Sequence, residues 1–503
     1  MNSNSHSETE LKLHVPQACR ATLEKALGRG AVKSIPLRAI YFDTPQRQLA
    51  RNKVALRLRF ENDRWVQTLK MSSSDSMLTR TELNHDRPGP DLDLTVYTGT
   101  PAASVIDKLS ETLTVSYETQ VLRLMRNSRT PWGWVEIAYD TGFVRSGNFE
   151  LPLSEVEFEL KRGDISAVFF LASKWQQQHG LIMDARSKAE RGDLLTQLPA
   201  QAPAFDQFWR PRGAKTIQLL PDMTADQGLR AVMAECLDQI IRNTAILAEV
   251  DTLGFYSLDS TEHVHQLRVG IRRMRTAWSL FNDMCVLPTP EQRETVKKYF
   301  GLLGGSRDNK VLLTELWPAL QAAGQPALSL ELDSTQDDPS LVAKDRGFQS
   351  WLLQMSEFVY SPAKTVESPE EAVSQQGLKK IVLAKLQKWH RRILKDGARF
   401  VELDLEQRHD LRKRVKKLRY ALQFAQTLLP QKKRNTYLKA LSKIQNILGE
   451  MNDFANAQTT FISLRETQPS AWFACGWITH KLEQLQTDAV SAFKQLSSVS
   501  YWD

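Results

Sequence analysis

Cysteine is scarce: Cys19, Cys236, Cys285 and Cys475 are the only four in 503 residues, and no two form a CxxC pair. Such spacing supplies neither a disulfide framework nor a zinc knuckle, and it fits a reducing cytosol. Long apolar runs are also missing. No uncharged stretch approaches the about 18 residues needed to cross a bilayer, and the opening "MNSNSHSETE" lacks the apolar centre of a signal peptide. A soluble cytoplasmic protein with no membrane partner is expected. There is no acidic excess either. The formal net charge is +8, most of it beyond residue 200, so the expected partners are anions. What is present is ample core material: 42% of the residues are apolar, enough for two or three packed domains.

The chain changes character part-way. Up to about residue 193, "VALRLRF" (54–60), "WVQTLKM" (65–71), "LTRTELN" (78–84), "WVEIAYD" (134–140) and "SEVEFELK" (154–161) alternate with period 2. "ENDR", "HDRPGPD" and "DTGFVRSGN" read as the turns between such strands. Helical pieces are expected at 16–28, 101–112 and 164–179, giving an α+β fold with an antiparallel sheet and helices outside it. "TQLPAQAPAFDQFWRPRG" (196–213) reads as a linker. Beyond it the period becomes 3.6, with helices expected at 225–250, 261–284, 291–304, 372–396, 406–429, 434–449 and 470–497. An extended connection is expected around 323–345.

The first half carries charged stripes. In "ETELKLHV" (8–15), Glu8, Glu10 and Lys12 share one face of a strand, with Thr9, Leu11 and Leu13 on the other. Arg57 and Arg59 share a face of "VALRLRF", and Glu155, Glu157 and Glu159 share a face of "EVEFEL". Lys70, Arg80, Glu82, Arg123 and Glu136 add charge to short strands. One such stripe is read equally as a solvated edge. Their recurrence points to a sheet closed into a barrel with a polar lumen. Charges enclosed there must neutralise one another, hold ions or await a charged ligand. Basic groups with clustered carboxylates suit a polyphosphate carried with Mg²⁺ or Mn²⁺.

These stretches resemble the CYTH domain, or triphosphate tunnel metalloenzymes, whose signature is an E-x-E-x-K strand near the N-terminus. It is met by Glu8, Glu10 and Lys12, followed in order by "YFDTPQRQL" (41–49), "LRLR" (56–59), "WVQTLK" (65–70), "EIAYDTG" (136–142), "EVEFELKRG" (155–163) and "SKAERG" (187–192). The resemblance implies an eight-stranded antiparallel tunnel that hydrolyses a triphosphate with divalent metal. It implies Glu8, Glu10, Glu157 and Glu159 as metal ligands, with Glu8, Glu10 and Lys12 central to catalysis. Lys12, Arg57, Arg59, Lys70, Arg123 and Lys188 would line the phosphate path, supported by Arg191, while Glu82, Glu136 and Asp140 match acidic positions of unassigned role. Lys12 and Lys188 can also be read as salt-bridge partners of the lumen glutamates.

The second half contains a duplication. "HQLRVGIRRMR" (265–275) aligns with "HDLRKRVKKLR" (409–419), and about thirty residues later "LGGSRD" (303–308) aligns with "LGEMND" (448–453). On a helix His265, Arg268, Arg272 and Arg275 form one continuous face, repeated by His409, Arg412, Lys416 and Arg419. The stripes carry no interleaved aromatics for base stacking, so nucleic acid is disfavoured against a naked phosphate polymer. This pattern resembles the CHAD domain, a conserved-histidine helical domain, over roughly 216–495. That resemblance implies two four-helix bundles related by pseudo-twofold symmetry and a polyphosphate-binding surface; the second copy has Asn452 where the first has Arg307.

The expected organisation is a tunnel domain over 1–195, a linker over 196–215, and an all-α duplicated domain over 216–503 with repeats at about 225–320 and 370–495. The expected function is an inorganic triphosphatase cutting tripolyphosphate to pyrophosphate and phosphate, with polyphosphate bound by the helices. The alternatives on the same barrel are an adenylate cyclase, a thiamine or nucleoside triphosphatase, and a non-catalytic polyphosphate binder.

Overall fold

The computed structural model describes residues 4–72, 78–198, 209–252, 260–304, 312–330, 338–362 and 377–499. The chain divides into two compact units that are discontinuous in sequence. The first comprises Met1–Gly213, Leu237–Leu267 and Pro339–Pro362; the second comprises Ala214–Cys236, Arg268–Asp338 and Ala363–Asp503. Residues 237–267 and 339–362, which the periodicity groups with the helical half, thus count with the barrel. Specific bonds hold them there: Arg242 pairs with Glu190, and the Gln349 side-chain oxygen accepts the Met183 N–H at 2.9 Å.

The first unit is built on strands β1 (Asn4–His14), β2 (Lys33–Asp43), β3 (Val54–Glu61), β4 (Arg64–Ser72), β5 (Thr79–Arg87), β6 (Thr114–Thr130), β7 (Gly133–Ser146) and β8 (Phe149–Gly163). All pair antiparallel in the order β5-β4-β3-β2-β6-β7-β8-β1, and β1 returns to β5 to close the barrel. A two-residue strand, β9 (Ile182–Met183), adds to β1. The helices of this part are α1 (Arg20–Leu27), α2 (Gln48–Arg51), α3 (Ala103–Ile106), α4 (Ser166–His179) and α5 (Lys188–Leu195).

The period-2 pattern decides which face is which. Leu11, Leu13, Leu56, Leu58, Val156 and Phe158 are buried between the sheet and its cover, which leaves the intervening charged residues on the lumen side. Trp175 of α4 meets Phe158 edge-on, with ring centroids 5.9 Å apart. "DTGFVRSGN" is not wholly a turn. β7 runs through it to Ser146 because Gly142 crosses where a Cβ would lie 2.0 Å from the Gln120 carbonyl oxygen, and the chain reverses only at Gly147 (φ +55°). The ends of the expected linker are not loose: Leu198 and Trp209 join a core with Tyr41, Tyr117, Leu153 and Ile246. Residues 199–208 lie outside the described residues.

Past the barrel the described helices are α6 (Ala225–Leu247), α7 (Thr261–Phe281), α8 (Pro290–Leu302), α9 (Trp317–Ala322), α10 (Pro339–Lys344), α11 (Arg346–Tyr360), α12 (Leu378–Ala398), α13 (Leu405–Phe424), α14 (Gln431–Leu464) and α15 (Ala471–Ser497). In the second unit α12 packs on α13, α13 on α14, α14 on α15, and α15 back on α12. These four helices form a closed ring over Leu378–Ser497. Three expectations need correction. The connection expected over 323–345 is helical from Pro339. The unforeseen α11 starts where the Asp345 carboxylate accepts the Phe348 N–H. "LGEMND" lies inside α14 instead of ending a helix, because Gly449 alone costs only about 1 kcal/mol and no proline or cap follows it. Ser306, Arg307 and Asp308 of "LGGSRD" fall outside the described residues. No described helix is long and apolar enough to cross a membrane.

Helix α5 presses Gly192 onto Tyr117, where a Cβ would sit 2.1 Å from the ring, and Tyr117 is itself stacked on Tyr41 at 4.5 Å. Gly192→Ala should therefore cost about 1–3 kcal/mol of overpacking strain, read as a lowered urea midpoint at unchanged slope.

Candidate active site

The strand register converts the sequence stripes into facing charges. Glu10 lies opposite Glu159, Lys12 opposite Glu157, Lys70 opposite Glu82, and Arg123 opposite Asp140. Contacts that skip a strand show that these side chains share one lumen. Lys70 of β4 reaches Glu8 of β1 at 3.0 Å as well as Glu82 at 2.9 Å. Arg123 of β6 forks Asp140 with two 2.7 Å bonds and reaches Glu157 of β8 at 2.6 Å.

One part of the lumen is saturated with cations. Lys188, projecting from the first turn of α5, lies 2.8 Å from Asp140, 2.5 Å from Glu155 and 2.7 Å from Glu157. The N-terminus of α5 is fixed by Ser187, whose hydroxyl accepts the Glu190 N–H. Burial alone would raise the carboxyls, but Lys188 and Lys12 hold Glu155 down to about 2, and Lys188 and Arg123 hold Glu157 well below the usual range. Lys12 donates to the Arg186 carbonyl and lies 4.0 Å from Glu155. Burial lowers its ammonium to about 8, and the pull of Glu155 limits the fall.

In another part burial weighs more heavily on the carboxylates. Burial, then a hydrogen bond shared with Glu82, raises Glu8 to about 7, against the favourable pull of Lys70. Glu82 goes the other way: burial is outweighed by the Glu8 hydrogen bond, Lys70 and Arg57, and its carboxyl stays ionised. Burial also raises Glu159, with Glu136 and Glu10 adding repulsion; Lys161, 2.7 Å away, offsets only part of it. Glu10 pairs with Arg80 at 2.8 Å.

All the donors are carboxylate oxygens, the chemistry of a hard divalent cation. Asp140, Glu155 and Glu157 place oxygens within 4.8 Å of one another, yet Lys188 and Arg123 already neutralise them. Glu8, Glu10 and Glu159 each have one close cation, Lys70, Arg80 and Lys161 respectively, and burial raises Glu8 and Glu159.

Arg57 lies 3.5 Å from Glu82 and donates to the Tyr41 hydroxyl at 3.3 Å; Arg59 pairs with Glu61 at 2.7 Å. Arg191 is placed differently from the other basic groups. It is 1% exposed and surrounded by Glu155, Asp184 and Asp251, so its guanidinium braces carboxylates and does not face open lumen. The sequence reading gave no role to Arg80, Glu155, Asp184, Arg186 or Asp251. Glu155 stood in a recognised row, but nothing local marks Asp251.

In the helical repeats, Leu267 and Leu411 are fully buried while the stripe residues beside them are partly or wholly exposed. Arg268 and Arg275 lie over the Phe300 ring of α8, at 4.5 and 5.8 Å from its centroid. His409 meets the Asn452 side-chain oxygen at 3.1 Å. His265, Arg272, Arg412, Lys416 and Arg419 continue the two faces on α7 and α13. A cavity of about 570 Å³ lies off the second stripe, lined by Arg391, Arg392, Lys395, Asp396, Arg399 and Arg414 among others. No ion pair engages Arg391, Arg392 or Lys395 among the described residues.

Residues 6–192 match the CYTH domain family, and residues 231–461 match the CHAD domain family. The chain carries a CYTH domain followed by a CHAD domain. An inorganic triphosphatase of Haemophilus influenzae is 29% identical over 198 residues, 37% of this chain and 54% of that protein, so the match spans about half of the relative. The CHAD domain structure from the plant Ricinus communis is 23% identical and covers 58% of this chain and 99% of its own, with a TM-score of 0.46. A Hippeastrum protein with a dominant triphosphatase activity is 19% identical, covering 36% of this chain and 92% of its own at a TM-score of 0.27.

The Glu8–Glu82 pair gives the CYTH domain a pH signature. Folded Glu8 keeps its proton to about pH 7, whereas its ordinary value is 4.5. Between these values the folded state binds more protons than the unfolded chain, so stability falls as pH rises. In chelator, Glu8→Gln should melt with wild type below about pH 4.5 and a few degrees above it beyond pH 7. Parallel melting curves across that range check this.

Proposed function

We propose that the CYTH domain is a divalent-metal-dependent inorganic triphosphatase that cuts tripolyphosphate to pyrophosphate and phosphate. This reading rests on one lumen that holds both basic side chains, Arg57, Arg59, Lys70 and Arg123, and carboxylates that burial pushes up, Glu8 and Glu159. An anion binder would gain nothing from Glu8, Glu10 and Glu159, because carboxylates repel phosphate unless a metal lies between.

Arg57, Arg59, Lys70 and Arg123 would hold the phosphate oxygens. Their ion pairs with Glu82, Glu61, Glu8 and Asp140 keep them extended before substrate arrives. Lys12, fixed by the Arg186 carbonyl, and Lys188 would place ammonium protons against the same chain. Glu8, Glu10 and Glu159 would hold Mg²⁺ or Mn²⁺, with Glu157 facing the same group from the saturated side. When bound, the metal neutralises phosphate charge in the transition state and acidifies water.

Purified protein should release phosphate from tripolyphosphate in Mg²⁺ or Mn²⁺ and lose that activity in chelator. Glu10→Ala and Lys12→Ala should each lower kcat/KM at least a hundredfold. A panel including ATP and thiamine triphosphate should show tripolyphosphate as the preferred substrate; full activity in both variants would remove the site assignment.

We further propose that the CHAD domain binds inorganic polyphosphate through the stripes His265, Arg268, Arg272, Arg275 and His409, Arg412, Lys416, Arg419. Polyphosphate should displace labelled polyphosphate far better than duplex DNA does at equal phosphate and physiological salt. Joint Arg268→Glu and Arg412→Glu substitution should weaken binding at least tenfold and flatten its salt dependence.

A further inference from the structure

Lys12 sits at the end of a buried ionic group that the CYTH match does not complete. Within the first unit this group contains three cations, Lys12, Arg186 and Arg191, and three carboxylates, Glu155, Asp184 and Asp251, all with side chains 8% exposed or less. Five of the six lie in residues 6–192. The sixth, Asp251, comes from beyond helix α6, inside the stretch that matches CHAD.

Asp251 reaches Lys12 along two routes. Its Oδ2 lies 3.1 Å from Arg191 Nε. Arg191 donates to Glu155 at 2.7 Å and to Asp184 at 2.6 Å, and Glu155 faces Lys12. The same Oδ2 lies 3.7 Å from Arg186 Nη2, which also donates to the Val250 carbonyl at 3.3 Å; the Arg186 carbonyl accepts the Lys12 ammonium. Arg186 is further locked by a fork onto Asp184 at 3.0 and 2.9 Å.

The backbone around Asp251 is held in an uncommon form. Asp251 has φ +59° and Glu249 φ +63°, a region that non-glycine residues enter at a cost and keep only where the surroundings enforce it. Aspartate bears that conformation better than most residues. Here it turns the carboxylate into the barrel's ionic group.

We propose that Asp251 is a positioning residue for the phosphate grip: it neutralises Arg186 and Arg191 so that Glu155 and the Arg186 carbonyl stay directed at Lys12. Without it the group carries three positive charges against two negative ones. Arg191 then draws on Glu155 alone with Asp184, and Glu155 is taken from Lys12 and from Lys188, which shares it at 2.5 Å. The inference rests on the tripolyphosphatase reading, because Lys12 is the group whose placement it explains.

The test uses the full chain and measures kcat and KM for tripolyphosphate in Mg²⁺ together with melting temperature. Asp251→Asn should raise KM at least tenfold with a smaller change in kcat. Asp251→Glu, which keeps the charge but displaces it by one methylene, should raise KM in the same direction by less. Arg242→Gln is the comparator: it breaks the other ion pair between this segment and α5 without touching the Lys12 group, so it should lower the melting temperature while KM stays within threefold of wild type. Wild-type KM in Asp251→Asn, or in Asp251→Glu should Asp251→Asn not fold, overturns the proposal. An Arg242→Gln KM raised as far as that of Asp251→Asn also overturns it, since segment docking alone would then explain the effect. Wild-type protein that neither binds nor cleaves tripolyphosphate overturns the parent reading instead, and needs no variant to show it.

Discussion

A charge enclosed by protein must be answered by another charge, by a hydrogen bond or by a bound ion, and the barrel of the first unit is arranged around that requirement. The arrangement starts outside the lumen. Leu11, Leu13, Val156 and Phe158 are driven under the covering helices by the hydrophobic effect, and the strand period then leaves Glu10, Lys12, Glu155, Glu157 and Glu159 no other place than inside. Closure of β1 onto β5 completes the barrel and turns these side chains toward one lumen. Fold and lumen chemistry are therefore one decision, written in alternate residues.

The answering charges are not evenly spread. Around Lys188 each carboxylate has more than one cationic neighbour, whereas Glu8 keeps a proton to about pH 7 and Glu159 is raised. Such unevenness costs stability in the protein alone and is useful only to a ligand that brings the opposite imbalance. On the proposed reading a triphosphate with its metal would do so, its phosphate oxygens meeting the basic part and its cation the carboxylates that burial pushes up.

Much of this was legible in sequence, and the parts that were not fail for physical reasons. β1, β3 and the inner face of β8 were readable because their alternation is strict. β2 was obscured by Pro36, which normally speaks against a central strand. It is tolerated because β3 pairs β2 only from Arg38 to Phe42, leaving Pro36 where the strand has a single neighbour, β6. β6 was hidden by its Thr, Ser, Asn and Gln content, which reads as loop until β2 and β7 flank it on both sides. Helix α11 was missed because a Pro- and Asp-rich stretch precedes it, although Asp345 is itself the cap that starts it. Of the site, the rows were visible and the partners were not. Periodicity places Lys12 in the lumen, but only the folded chain brings Arg186 and Asp251 to it.

Domain boundaries drawn from sequence and boundaries drawn from charge need not coincide. Residues 6–192 match a complete family pattern, yet the buried group at Lys12 is neutral only when a carboxylate from residue 251 is added. A barrel cut at the sequence boundary would lose the part of its hydrophobic cover that Leu195, Leu198, Trp209 and Ile246 supply. It would also carry a surplus positive charge where exposure is nearly zero, next to the lysine of its signature strand. The reach of the first unit into residues 237–267 therefore bears on its packing, through Ile246, and on its charge balance, through Asp251.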